Sequence, residues 1–220
     1  MSSDREVKDA AYYGRPRREM RPFVPRDARR LLDVGCGAGA FAAGLKQERP
    51  GLEVWGVEMD QEAAARAARV LDRVLVGDAL AVLPQLGPER FDCIVLNDVL
   101  EHVWEPERLL AGLVPLLAAA GRVVASVPNI RHHSAVADLV LRGKWEYTDE
   151  GILDRTHVRF FTRASLPGLF AAGGLVLESA VGINRTGSLK FRLFDLVTLG
   201  RFADMGCLQF ACTARPPEER

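Results

Sequence analysis

The stretch Leu31-Leu32-Asp33-Val34-Gly35-Cys36-Gly37-Ala38-Gly39-Ala40-Phe41 constrains the fold more than any other part of the chain. Two apolar residues lead into an acid, three glycines alternate with small residues, and an apolar run follows. That order reads as a buried strand, a tight turn stripped of side chains, and the first turn of a helix. Alternate glycines let backbone press against a ligand, and the helix N-terminus offers N–H groups without intrahelical partners. A nucleotide-like ligand is expected at this loop.

Dinucleotide-binding enzymes use a similar device, but their third glycine falls three residues after the second. Here Gly35, Gly37 and Gly39 sit two apart, and only Ala40 would serve a G-x-G-x-x-A variant. Two acids downstream separate the candidates. Val54-Trp55-Gly56-Val57-Glu58 is a second strand ending in a carboxylate placed for a ribose diol. Val74-Leu75-Val76-Gly77-Asp78-Ala79 is a third strand, whose acid is placed for an adenine amino group. A dinucleotide site has no standard use for that third position.

In order, D-V-G-C-G-A-G, V-E-M-D, G-D-A and F-D-C-I-V-L-N-D-V-L-E-H-V resemble the class I S-adenosylmethionine-dependent methyltransferases, of the bacterial small-molecule type, over roughly residues 31–130. The resemblance implies that Asp33 and the loop Gly35, Cys36, Gly37 and Gly39 surround the methionine part of S-adenosyl-L-methionine. By the same resemblance Glu58 takes the ribose hydroxyls, Met59 flanks the adenine, Asp78 and Ala79 hold its edge, and Asn97 completes the set. Tyr12-Tyr13-Gly14-Arg15 resembles an aromatic lead that closes over the cofactor, with Tyr13 and Arg15 as the closing residues. The product would be S-adenosyl-L-homocysteine.

The 220 residues suit one α/β domain, and 29 basic residues balance 29 acidic ones. That balance offers no global field for nucleic acid or an anionic membrane. No apolar run reaches spanning length and no secretory leader is seen, so a cytoplasmic protein without stable membrane insertion is expected. Cys36, Cys93, Cys207 and Cys212 show no paired or zinc spacing and read as reduced core residues.

Alternating apolar runs and helical stretches predict a Rossmann-like, doubly wound, seven-stranded, mostly parallel sheet with helices on both faces and the last strand antiparallel. Strands are expected near 31–35, 53–58, 73–77, 91–96, 121–127, 175–181 and 206–214. Helices are expected near 39–48, 60–71, 79–85, 105–118 and 163–172. Residues 1–27 read as a cofactor-covering segment and 28–215 as the domain. Lid-like insertions fall at about 129–162 and 184–204, and 216–220 is a tail.

Ligands of open parallel sheets collect beyond the carboxyl ends of the strands. All four histidines, His102, His132, His133 and His157, follow the fourth strand. Asp98, Glu101 and His102 form a D-x-x-E-H pattern that would share one face if helical. It reads as a loop brace, as a general base or substrate-orienting pair, or as a metal set. Quinone-pathway O-methyltransferases carry a similar acid-x-x-Glu-His cluster that can bind a divalent ion, with glutamate where this chain has the shorter Asp98. Our expectation there is no metal, with Asp98, Glu101 and His102 as the alternative. Pro128 is expected to turn the chain out of the sheet, placing His132 or His133 near the acceptor.

Residues 143–162 are too rich in aromatics and charge for a spacer, and D-R-T-H-V-R-F-F-T resembles a segment of bacterial methyltransferases of surface-polysaccharide and small-metabolite pathways. That resemblance makes His157 the first candidate proton acceptor, with Asp154 to orient it. The apolar segment 188–200 leaves a homodimer contact, a lid helix and a membrane-surface helix open, and its two cations, Lys190 and Arg192, weigh against the membrane. Histidines near the acceptor favour a hydroxyl, because an O-nucleophile must lose a proton. The expected activity is O-methylation of a small polar acceptor, such as a sugar or sugar-bearing metabolite. A quinone or phenol acceptor, a non-catalytic S-adenosylmethionine-binding module and a nicotinamide oxidoreductase are the rivals.

Overall fold

The computed structural model describes residues 13–218. Readings that fall on residues 1–12, Tyr12 among them, and on 219–220 lie outside the described residues. The strands are β1 (Arg30–Val34), β2 (Glu53–Glu58), β3 (Arg73–Val76), β4 (Phe91–Asn97), β5 (Leu117–Pro128), β6 (Val176–Arg185) and β7 (Cys207–Arg215). They form one sheet in the order β3-β2-β1-β4-β5-β7-β6. β7 runs antiparallel to both of its neighbours, and the pairs among the first five strands are parallel. The α-helices are α1 (Ala40–Glu48), α2 (Gln61–Ala67), α3 (Ala79–Val82), α4 (Pro106–Leu113), α5 (His133–Arg142), α6 (Leu166–Ala172) and α7 (Leu189–Val197). The expected fold class is the one observed.

Successive strand residues face opposite sides of a sheet, and the central strands are apolar on both. Leu31, Val54, Cys93, Val95 and Val124 pack on one side with Phe41 and Leu45 of α1 and Met20 of the short turn Arg18–Phe23. Leu32, Ile94, Leu96, Val123 and Ala125 pack on the other with Leu109, Leu110 and Leu113 of α4 and Phe170 of α6. All four cysteines are buried and unbridged.

The largest boundary error lies at β5. The sequence reading carries a helix through residue 118 and starts the strand at 121. In the structure α4 stops at Leu113, a 3-10 turn covers Val114–Leu116, and β5 begins at Leu117. Pro115 removes a backbone donor and ends the helix, overriding the helical preference of the alanines behind it. Pro128 does not leave the sheet. It is the last residue of β5, in register with Gln209 of β7; Asn129 still bridges Phe161, and the chain turns at Ile130.

Helix α6 ends where Gly173 and Gly174 predict a stop. Gly174 takes the left-handed φ of 76°, whereas Gly173 answers to packing. A Cβ at Gly173 would lie 2.5 Å from Leu110 Cβ of α4. Gly173→Ala should therefore cost about 1–3 kcal/mol by overpacking, read as a lower urea midpoint with an unchanged slope. A midpoint unchanged from the parent would show that α4 and α6 separate easily.

Candidate active site

Strand order reverses between β1 and β4, where an open α/β sheet splays and leaves a crevice. A cleft of about 1040 Å³ opens there, lined by Asp33, Gly35, Cys36, Gly37, Glu58, Met59, Asp78, Ala79 and Asn97. Tyr13 lines the same cleft, and its carbonyl accepts the Ala38 N–H at 2.9 Å. A Cβ at Gly37 would stand 2.7 Å from that carbonyl oxygen, and Gly37 has a φ of 54°. Glycine is thus required where the N-terminal segment crosses the loop. Gly39 does not line this cleft. Its Cβ position is crowded by Val70 and Ala67, so it serves packing, a correction to its expected place against the cofactor.

Glu58 ends β2 as expected, but its carboxylate already accepts three backbone N–H groups. Oε2 takes Gly37 at 2.8 Å, and Oε1 takes Met59 at 2.8 Å and Asp60 at 2.9 Å. A carboxylate has about four acceptor sites, so Glu58 keeps one on Oε2. Asp33 is buried beside it with Oδ2 unpartnered. Burial, with the Glu58 charge second, pushes the Asp33 carboxyl up to about 8. The Asn97 amide is buried with neither polar atom bonded. Asp78 caps α3 through the Ala81 N–H at 3.3 Å. A cleft with this many carboxylates suits a cationic sulfonium and ammonium and repels a pyrophosphate. The residues present therefore fit S-adenosylmethionine.

A second cavity of about 490 Å³ adjoins the first, lined by Arg15, Arg17, Arg18, Glu19, Glu101, Glu150, Ile152, His157 and Gln209 among others. Asp98 and His102 line both cavities. The D-x-x-E-H segment is not one helical face. Asp98 has a φ of 55°, and only Leu100–His102 form a 3-10 turn. The reversal brings Asp98 into a network that sequence reading missed. Its Oδ1 accepts from the Ser126 hydroxyl at 2.7 Å and the Gln209 amide at 2.8 Å, and its Oδ2 accepts from Arg17. Burial raises the Asp98 carboxyl, against the pull of Arg17 and Ser126. With both oxygens engaged, Asp98 holds Arg17 across the N-terminal segment.

The insertion after β5 folds back on this turn. The Val158 and Arg159 amides donate to the Glu101 carbonyl at 2.8 and 3.1 Å. His157 thereby meets His102, ring centroids 4.8 Å apart. His157 Nδ1 lies 3.0 Å from the Ile152 carbonyl, and His102 Nδ1 lies 3.2 Å from the Thr156 carbonyl. A carbonyl only accepts, so in the neutral rings Nδ1 bears the proton and Nε2 the lone pair. Thr156 also donates its hydroxyl to Asp154 at 2.7 Å, so Asp154 braces the turn that carries His157 and packs on His102. Glu101 is 1% exposed, with neither carboxylate oxygen bonded. Burial first, and the Asp98 charge second, raise it well above the ordinary carboxylate range. Ligand atoms of Glu101, His102 and His157 lie within 4.8 Å of one another, so the metal-capable group contains His157 where sequence reading has Asp98.

His132 is not brought to this place. It caps α5, its Nδ1 lies 2.8 Å from the Ser134 hydroxyl, and it lines neither cavity. Burial, with His133 second, pushes its ring down to about 4. Pro128 keeps the strand in register for one more residue, and the turn behind it buries the ring.

The profile of the methyltransferase-domain family matches residues 6–180. The chain belongs to that family and carries a class I S-adenosylmethionine-dependent methyltransferase domain. It is similar to the ubiquinone biosynthesis O-methyltransferase of Aeromonas salmonicida (strain A449), at 27% identity over 165 residues, covering 71% of this chain and 66% of that one. It is also similar to the trans-aconitate 2-methyltransferase of Mycolicibacterium gilvum (strain PYR-GCK), at 34% over 146 residues, covering 63% and 54%. The matches thus span two thirds of these relatives' length or less. A SAM-dependent methyltransferase structure from Archaeoglobus fulgidus shares the fold, with a TM-score of 0.62 and 19% identity over 94% of each chain.

Asp33 binds more protons folded than unfolded between its ordinary value and about 8, so its contribution to stability falls as pH rises across that window. Asp33→Asn should raise the melting temperature of the cofactor-free protein at pH 8 while weakening S-adenosylmethionine binding at least about tenfold. A variant that melts lower and binds normally would contradict both halves.

Proposed function

We propose that this methyltransferase O-methylates a small polar acceptor, such as a sugar or sugar-bearing metabolite, held in the 490 Å³ cavity. The observation that carries the reading is the meeting of Glu101, His102 and His157 where the two cavities join. The cofactor supplies a methyl group activated on a sulfonium. Asp33, the glycine loop and Glu58 would hold the cofactor, and its methyl would go to the acceptor oxygen with S-adenosylhomocysteine as the other product. The hydroxyl proton passes to Nε2 of His157, and His102 steadies the developing imidazolium's neighbourhood as the second base. The protein's further work is to hold the two reactants in near-attack geometry and exclude water.

Arginine, glutamate, asparagine and glutamine side chains line the cavity together with Pro16, Pro128, Ile152 and Leu208. Donors and acceptors for hydroxyls thus lie beside apolar surface that a ring can cover, so the acceptor panel must contain both sugars and quinone-type phenols. The second reading places a divalent cation on Glu101, His102 and His157. It is favoured by the buried, unbonded Glu101 carboxylate, and two imidazoles with one carboxylate suit a first-row transition metal. These residues would hold the ion, which would lower the pKa of the acceptor hydroxyl.

Turnover is measured as S-adenosylhomocysteine release over a panel of sugars, sugar conjugates, phenols and carboxylates. His157→Ala should lower kcat about 10²–10⁴-fold with cofactor affinity unchanged. Activity confined to carboxylate acceptors, or an unaffected variant, would reject the proton-acceptor reading. Glu101→Gln separates the two readings, because an amide replaces a neutral carboxyl in shape but is a poor metal ligand. Retained activity, insensitive to chelators, supports the metal-free site. Loss of both activity and bound metal, measured by elemental analysis, supports the cation.

A further inference from the structure

A surface helix ordinarily turns its apolar stripe inward. Helix α7 does the reverse. Leu189, Leu193, Leu196 and Val197 recur at helical spacing and are 64–75% exposed, while Phe191 is the buried residue of the helix. Leu199, just beyond, is 93% exposed. Helix α5 lies against it: His133 stacks on Phe191 with centroids 4.8 Å apart and bonds the Thr186 hydroxyl at 3.1 Å. The far end of α5 bares Val140 and Leu141, 71% and 80% exposed. Two insertions thus each present unpartnered aliphatic side chains.

Charge decides what covers them. The sequence count of two cations in 188–200 weighs against a membrane, but the fold changes that balance. Lys190, Arg192 and Arg201 are exposed and make no ion pair among the described residues, while Asp195 is half-buried with Oδ1 inside. Trp145 and Tyr147 follow α5 on exposed chain, where Lys144 pairs with Glu146 at 3.4 Å. Aliphatic residues bordered by bare cations and interfacial aromatics match a bilayer surface with anionic headgroups. A symmetric contact between two copies would set the same cations against each other. We propose that α7, with the exposed end of α5, seats this enzyme on an anionic lipid surface. Asn184 and Pro128, which precede these two elements, line the acceptor cavity, so the seated face adjoins the place where the acceptor enters. No described helix is long and apolar enough to cross a membrane, so the contact is peripheral.

Sedimentation of the full chain with phosphatidylcholine vesicles, with and without phosphatidylglycerol, tests this. The protein should pellet with phosphatidylglycerol vesicles and be released by salt. Lys190→Glu with Arg192→Glu should weaken pelleting at least about tenfold, and Leu193→Asp with Leu196→Asp should abolish it. Unchanged S-adenosylmethionine affinity in both variants shows that each is folded. A parent chain that stays in the supernatant, or pelleting indifferent to these changes, would overturn the proposal. So would a dimer by light scattering that the leucine changes split.

Discussion

Two carboxylates buried side by side at the ends of β1 and β2 set the terms for the rest of this molecule. Glu58 holds its place by gathering the amides of Gly37, Met59 and Asp60, which shapes the glycine loop and the start of the next helix. Asp33 has no such compensation, and its second oxygen is left unbonded. A fold that carries this electrostatic penalty is poised for a positively charged partner, because a cation restores what burial removed. The same arrangement would repel the pyrophosphate of a dinucleotide. The spacing of the glycines and the carboxylates of the cleft thus both weigh against the nicotinamide alternative.

Asp98 does for the acceptor side what Glu58 does for the cofactor side. Its left-handed backbone ends β4 abruptly, and its side chain ties the N-terminal segment to β5 and β7 through Arg17, Ser126 and Gln209. That knot lines both cavities. Glu101 and His102 follow on the turn beneath it, and the insertion carrying His157 is stitched to the Glu101 carbonyl. Arg15 and Glu150 pair at 2.5 Å, so the N-terminal segment and the insertion meet directly at the smaller cavity. The cavity is walled by segments distant in sequence, so its acceptor specificity can vary while the sheet beneath stays the same.

What was legible in the sequence was local. The apolar run, glycine turn and helix start around Gly35 could be read because each step obeys short-range backbone rules, and the period of the strands supplied the doubly wound sheet. Asp60 obeys the same short-range rules, capping α2 with a carboxylate that accepts the Ala63 N–H at 2.7 Å. Local preference failed at Leu117–Ala120, where alanines read as helix but Pro115 had already ended it and Phe91 offered a strand to pair with. It failed again at Asp98-x-x-Glu101-His102, whose spacing suggests one helical face and whose backbone instead reverses at the first residue. The partnership of His102 with His157 spans 55 positions and is made by an insertion folding back, which no periodicity announces. Arg17 and Gln209 were equally silent. The density of charge and aromatics in 143–162, with the resemblance carried by D-R-T-H-V-R-F-F-T, signalled that the insertion belongs to the site.

The buried Asp33–Glu58 pair selects a cationic methyl donor, against which Asp33 gives up its proton. Calorimetric titration with S-adenosylmethionine, repeated across pH and in buffers of different ionisation enthalpy, tests this most directly. Because Asp33 rests near a pKa of about 8 in the empty cleft, binding below that pH should expel a proton from it, and affinity should rise with pH toward 8. The proton release should vanish in Asp33→Asn. Binding of comparable strength with no proton release and no pH dependence in the parent would show that Asp33 is not what the cofactor's charge meets.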